Sequence, residues 1–265
     1  MIVSDQLNRR INITSTPSLR IISLVPSQTE LLADLNLDNQ VVGITKFCVH
    51  PKSWSKSKVK IGGTKNLNFN KITALNPNLI IANKEENRKE DILFLMEKYP
   101  VWVSDIRDFN SALVMINKIG EISQNKLKSK AIINDIKNSF SNLNLFNKTK
   151  NKVAYLIWER PIMTINRDTF INEMINVNGW INVFAEKKSR YPEISIDEII
   201  DLSPDILFLS SEPFPYKNKH VEKYQNVLPN TKVVLVNGEF FSWYGSRLKL
   251  AAEYFNKLQK ELLLD

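Results

Sequence analysis

Short runs of apolar, largely β-branched residues recur along this chain, at residues 20–25, 40–45, 79–83, 101–104, 152–158, 205–210 and 232–236. Most are nearly continuous rather than alternating in hydrophobicity. That is the pattern of strands buried on both faces, which occur in parallel sheets covered by helices. Helical periodicity fills many of the intervals between them. The pattern predicts an α/β fold with mainly parallel central sheets.

One module occurs twice. "KITALNPNLIIA" at residues 71–82 matches "EIIDLSPDILFL" at residues 198–209. Each reads as a short helix stopped before a proline, followed by a strand entering a sheet. Two copies about half a chain apart predict two similar lobes. Between them, residues 123–146 contain no Pro or Gly and place Leu127, Ala131, Ile132, Ile136 and Phe140 near helical spacing. This stretch predicts one long rigid helix of about six turns, a stiff spacer that permits only small hinge motion. The expected organisation is an N-terminal α/β lobe over 1–122, an interlobe helix over 123–147 and a C-terminal α/β lobe over 148–265.

The stretch "RIISLVPSQTELLADLNL" at residues 20–37 passes from strand to helix without a glycine. Ser27 is expected to cap that helix, with Glu30 completing a capping box. The helix then starts at the carboxyl end of a strand, where ligands sit in open α/β sheets. Polar side chains without glycine suit a ligand resting on a rim rather than a phosphate wrapped by backbone.

Several classes are excluded or disfavoured. Cys48 is the only cysteine, so no disulfide forms within the chain and a Cys-based zinc or iron–sulfur site is nearly excluded. His50 and His220 are the only histidines, and no metal ligand is assigned. No motif of a nucleophile elbow, P-loop, zinc protease or dinucleotide site is present, so the chain reads as no enzyme and has no catalytic residues. The net charge of +8 comes from scattered lysines with no base-reading motif, so no nucleic-acid partner is expected. No apolar run is long enough to span a bilayer. The first seventeen residues lack the apolar centre of a signal peptide, so the chain either stays in the cytoplasm or starts after a removed signal.

The segments "RIISLVPSQTELLADLNLDNQVVGITKFCVHP", "IGGTKNLNFNKITALNPNLIIANKEEN", "VAYLIWERPIMTINRDTFINEMINVNGWINVF", "YPEISIDEIIDLSPDILFL" and "VNGEFFSWYGSRLKLAAEYF" follow one another in order. Together they resemble the substrate-binding proteins of ABC importers for cobalamin, haem and ferric siderophores, the helical-backbone metal receptors. The cobalamin branch is the most similar, and the resemblance spans residues 5–258. It implies two α/β lobes joined by one long helix with the ligand in the cleft between them. It also implies a monomer, a periplasmic or cell-envelope location, an ABC permease as partner and no intrinsic cofactor. The ligand would be cobalamin, another corrinoid or a related metal chelate. The alternatives are a ferric siderophore or haem binder, and a cytoplasmic chelate-binding protein for storage, sensing or handover.

By position in the resemblance, the ligand-binding residues are Phe47, Thr64 and Lys65 on the first lobe. On the second they are Trp158, Met163, Tyr191, Glu239, Phe241, Trp243 and Tyr244. Phe47 stands where the cobalamin binders carry a tyrosine, Tyr191 where they carry a tryptophan, and Thr64 where they carry another tryptophan. Lys65, Arg160 and Arg247 are expected at the polar edges of the ligand. The cluster "FFSWYGSRL" at 240–248 is expected at the cleft rim. The family docks on its permease through one acidic residue on each lobe. Here those positions hold Asp197 and the neutral Asn70.

Overall fold

The computed structural model describes residues 1–13, 19–143 and 150–264. The chain divides into two compact units. One comprises Met1–Ile106, Asn110–Lys137 and Tyr244–Lys249, and the other Arg107–Phe109, Asn138–Trp243 and Leu250–Asp265.

The first unit runs β1 (Ile2–Ser4), β2 (Arg10–Asn12), β3 (Ile21–Ser23), α1 (Pro26–Asp34), β4 (Val41–Ile44), α2 (Lys52–Ser57), β5 (Val59–Lys60), β6 (Gly62–Gly63), β7 (Asn66–Leu67), α3 (Phe69–Leu75), β8 (Leu79–Asn83), α4 (Lys89–Met96), β9 (Val101–Ser104) and, from its second residue on, α5 (Phe109–Ile122). Its sheet has the order β5-β4-β3-β8-β9, all parallel. Strands β3, β8 and β9 are buried at every residue, as their continuous hydrophobicity requires. The antiparallel hairpin β1–β2 reaches the free edge of this sheet. The Gln6 N–H donates to the Val103 carbonyl at 3.1 Å, and the Arg9 guanidinium to the Val101 carbonyl at 3.0 Å. An edge covered in this way is closed to strand addition.

Helix α6 (Lys126–Ser141) follows, with residues up to Lys137 in the first unit and the remainder in the second. It is shorter than the predicted 123–146. Ser123 closes α5, its hydroxyl donating to the Ile119 carbonyl at 2.7 Å. Gln124 then turns the chain with φ 59°, which no α-helix accommodates. The buried stripe of α6 is Ser129, Ile132 and Ile136, and Leu127 is 87% exposed. The sixteen helical residues span about 24 Å. Residues 144–149, where the prediction put the end of the helix, lie outside the described residues.

The second unit runs β10 (Lys152–Leu156), β11 (Trp158–Glu159), β12 (Ile162–Met163), α7 (Phe170–Val177), β13 (Ile181–Asn182), α8 (Ile196–Leu202), β14 (Ile206–Ser210), α9 (Asn218–Val227), β15 (Lys232–Val236), α10 (Glu239–Ser242) and, from its third residue on, α11 (Leu248–Leu264). Its parallel sheet has the order β13-β10-β14-β15. No helix is long and apolar enough to cross a membrane among the described residues.

The repeated module is present in both units with matching backbone. Helices α3 and α8 each carry a side-chain N-cap, Asn68 and Ser195. They end at Asn76 (φ 44°, ψ 63°) and Ser203 (φ 44°, ψ 62°), both left-handed. A proline and a fully buried strand, β8 or β14, follow each.

Candidate functional site

In the first unit, β4 ends at Ile44 and the chain passes over the carboxyl end of the sheet through Thr45, Lys46 and Phe47. The β6–β7 hairpin lies beside it, with the Lys46 N–H donating to the Gly62 carbonyl at 2.8 Å. A Cβ built on Gly63 would stand 3.1 Å from the Phe47 ring, so the bare backbone there lets the ring lie close. Phe47 is 51% exposed, and the Lys46 ammonium sits 5.0 Å from its centroid. Thr64 and Lys65 form the hairpin turn. The Asn87 amide donates to the Thr64 carbonyl at 3.1 Å, and the Lys65 ammonium to the Glu85 carbonyl at 2.5 Å. Phe47, Thr64 and Lys65 therefore share one rim.

The polar turn after β3 faces inward. Helix α1 starts at Pro26, with Val25 as N-cap and no side-chain cap. Proline suits the first helical position because its missing N–H is not needed there. Ser27 is thus inside the helix, and the predicted capping box is absent. Thr29 donates to the Ser23 hydroxyl at 2.7 Å and lies 3.1 Å from the Cys48 sulfur, and Gln28 donates to the Ser104 hydroxyl at 2.5 Å. These groups stitch the strand ends together, and burial pushes the Cys48 thiol up. Glu30 meets Arg247, whose Nε and Nη2 donate at 2.9 and 2.7 Å. The guanidinium fork expected at a ligand edge is held by this carboxylate. Gly245 admits the approach, since a Cβ there would stand 2.4 Å from the Ser27 carbonyl oxygen.

In the second unit, β11 and β12 form an antiparallel ribbon with Arg160 in its turn, and Trp158 stands opposite Met163. Trp158 is 39% exposed. Its indole N–H donates to the Arg160 carbonyl at 3.0 Å, and its own carbonyl accepts from the Tyr216 hydroxyl at 2.8 Å. Residues 190–194 run beside β12: the Thr164 N–H donates to the Pro192 carbonyl at 3.1 Å, and the Ile194 N–H to the Ile162 carbonyl at 2.9 Å. This brings exposed Tyr191 alongside. Trp158, Arg160, Met163 and Tyr191 are gathered on one ribbon. Glu239 opens α10, half-buried, with its N–H held by Asn237.

The aromatic cluster at 240–248 is a correction. Phe241 is fully buried among Tyr155, Phe208 and Phe255, with ring centroids 5.0–5.8 Å apart. Phe240 stacks on Tyr254. Trp243 and Tyr244 are each 6% exposed, and the Trp243 indole donates to Glu212 at 2.9 Å. Phe241 lies in the one-turn helix α10 and Trp243 caps its end, and Phe241, Trp243 and Tyr244 are all interior residues. Asn70 and Asp197 are both exposed and hold the same place, second residue of α3 and of α8. Among the described residues no group of three or more His, Cys, Asp or Glu is arranged to hold a metal ion.

The model of the family described as periplasmic binding protein matches residues 21–231. The chain belongs to the periplasmic binding protein family. It is similar to the vitamin B12-binding protein of Vibrio parahaemolyticus, 26% identical over 76% of this chain and 74% of that one. It is also similar to the ABC transporter substrate-binding lipoprotein YvrC of Bacillus subtilis, 27% identical over 93% and 81%. Among solved structures, the apo periplasmic heme-binding protein RhuT of Roseiflexus sp. RS-1 has the same fold. It aligns with a TM-score of 0.77 at 18% identity, over 91% of this chain and 98% of that one. As a periplasmic binding protein this chain is a substrate-binding protein and not an enzyme.

Sequence reasoning missed the group that supports Trp158 in this periplasmic binding protein. Glu159, 7% exposed, accepts from the Lys223 ammonium at 2.5 Å and the Tyr224 hydroxyl at 2.8 Å. His220 is in α9; its ring packs on Phe214 and Tyr216, and its Nδ1 accepts from the Lys217 N–H at 2.8 Å. The spacing of Lys223 and Tyr224 carries no signal, because their partner lies in a distant ribbon. Burial raises the Glu159 pKa, but the hydrogen bonds from Lys223 and Tyr224 outweigh it and hold the carboxyl below its usual range. A lowered folded value stabilises above the unfolded pKa, and that stability is lost as the pH falls through the folded value. Tyr224→Phe is expected to cost about 1.5–3 kcal/mol at neutral pH and to move the acid loss to higher pH. Urea unfolding across the acidic range checks both, and an unchanged acid limb would sink the assignment.

Proposed function

We propose that this protein captures a macrocyclic metal chelate, a corrinoid or haem, and delivers it to an ABC permease. The observation that carries the reading is the ribbon of the second unit, where a half-exposed, doubly anchored Trp158 stands beside Met163, Arg160 and Tyr191. A flat, mostly apolar ring with polar edges needs an aromatic plane, a soft apolar neighbour and a few donors. In the first unit, Phe47, Thr64 and Lys65 likewise offer an aromatic plane and polar donors. The relatives named for vitamin B12 and heme support this ligand class, and the one named as an ABC transporter lipoprotein supports the permease. The pairing of exposed Asp197 with exposed Asn70 leaves one carboxylate for docking on a basic permease surface.

Absorbance titrations with cyanocobalamin, haem and a ferric siderophore test the reading. Saturable micromolar or tighter binding of a corrinoid or haem is the expected result. Binding of the siderophore alone would move the ligand to the iron chelates, and binding of none would overturn the proposal.

A further inference from the structure

We propose that Phe214 is a further ligand-contacting residue and sets, with Trp158, an aromatic corner that selects a flat macrocycle. The proposal rests on the reading of the Trp158 ribbon as ligand site. Phe214 lies in the segment that leaves the carboxyl end of β14, and its backbone N–H donates to the Ile157 carbonyl at 3.3 Å, next to Trp158. The two rings meet edge to face, with centroids 5.7 Å apart and planes at 69°. Phe214 is half-buried: it packs against the apolar core of the unit and keeps part of its ring accessible.

The corner is held from several directions. The Phe214 ring stands 4.8 Å from Tyr216 and 5.5 Å from His220, both edge to face. Tyr216 in turn donates to the Trp158 carbonyl, so one residue braces both walls. Two residues upstream, the Glu212 carboxylate accepts from the Ser242 hydroxyl at 2.6 Å and the Trp243 indole at 2.9 Å. The carbonyl of Glu212 accepts from Ser210 at 2.6 Å. The buried Trp243 thereby pins the segment that presents Phe214. Two rings set nearly at right angles and immobilised before binding give a planar ligand a face and a rim contact with little ordering to offset. A globular hydroxamate chelate has no such face.

Wild type, F214L, F214Y and W158A are titrated with haem and cyanocobalamin by absorbance, with a thermal melt of each variant. F214L keeps an apolar side chain of similar bulk and is expected to weaken binding about tenfold with an unchanged melt. F214Y retains the ring and is expected to bind like wild type. Should F214L melt early, F214M carries the same comparison. Wild-type affinity in F214L alongside weakened W158A would overturn the role of Phe214 and leave the Trp158 site standing. Wild-type affinity in both would overturn the site reading and this inference together. A wild-type protein that binds neither macrocycle would overturn the proposed function as well.

Discussion

Replacing Arg247 by methionine is expected to destabilise the first unit by about 3 kcal/mol at neutral pH. The Arg247 and Glu30 side chains are 10% and 18% exposed and share two hydrogen bonds. Removing the guanidinium leaves a carboxylate out of water with no equivalent partner. Burial raises the Glu30 pKa more than the charge and hydrogen bonds of Arg247 lower it. A carboxyl whose folded value is raised adds stability below its unfolded pKa, and that contribution is lost as the pH rises through the folded value. Without Arg247 the folded value climbs further. The deficit of R247M against wild type is therefore largest at neutral pH and shrinks on acidification, as Glu30 becomes neutral in both proteins. Urea unfolding from pH 7 down to about pH 4 measures it, and E30Q/R247M should recover much of the loss. A deficit that stayed constant with pH would assign it to lost packing instead.

Trp158→Ala is expected to weaken chelate binding by about thirtyfold or more, the scale of an aromatic hot spot. The effect is separable from folding because the side chain is 39% exposed and the backbone carbonyl keeps its Tyr216 partner in the variant. W158F keeps a plane and should fall between the two. Absorbance at the ligand band is the readout, since tryptophan emission also reports the four other indoles. An affinity within about twofold of wild type would remove Trp158 from the site.

The parallel sheets were legible because β3, β8, β9, β10, β14 and β15 are apolar and β-branched, and nothing else the chain can do hides such runs from water. The repeated helix–turn–strand module was legible through Pro77 and Pro204. The two-residue strands β5 and β13 at the sheet edges were not, because they are too short to have a period. Within the proposed site, Trp158 and Phe47 were named through their positions in the family resemblance. Phe214, Tyr216 and Tyr224 were not, since contacts over so many residues leave no local pattern. Phe241 and Trp243 were misread because aromatic density was taken as a sign of exposure. Packing around a one-turn helix decides the matter, and it turned both rings inward. Ser27 was misread by two positions, because Pro26 opens the helix earlier than a serine cap would.

The first unit is discontinuous in the chain. Its sheet comes from residues before Ile106, but Tyr244–Lys249 belongs to it as well. The ribosome therefore makes Arg247 217 residues after Glu30. Until then the nascent first unit lacks the cation that neutralises its buried carboxylate, while almost all of the second unit has already been synthesised. Vectorial folding, in which the first unit is complete before the second begins, is closed to this protein. A ribosome-bound or truncated chain ending before Tyr244 would carry an unfinished first unit, prone to opening near α1 and open to holdase chaperones. Residues Tyr244–Lys249 act as a latch, and full stability of the early-made half arrives only once they have been made.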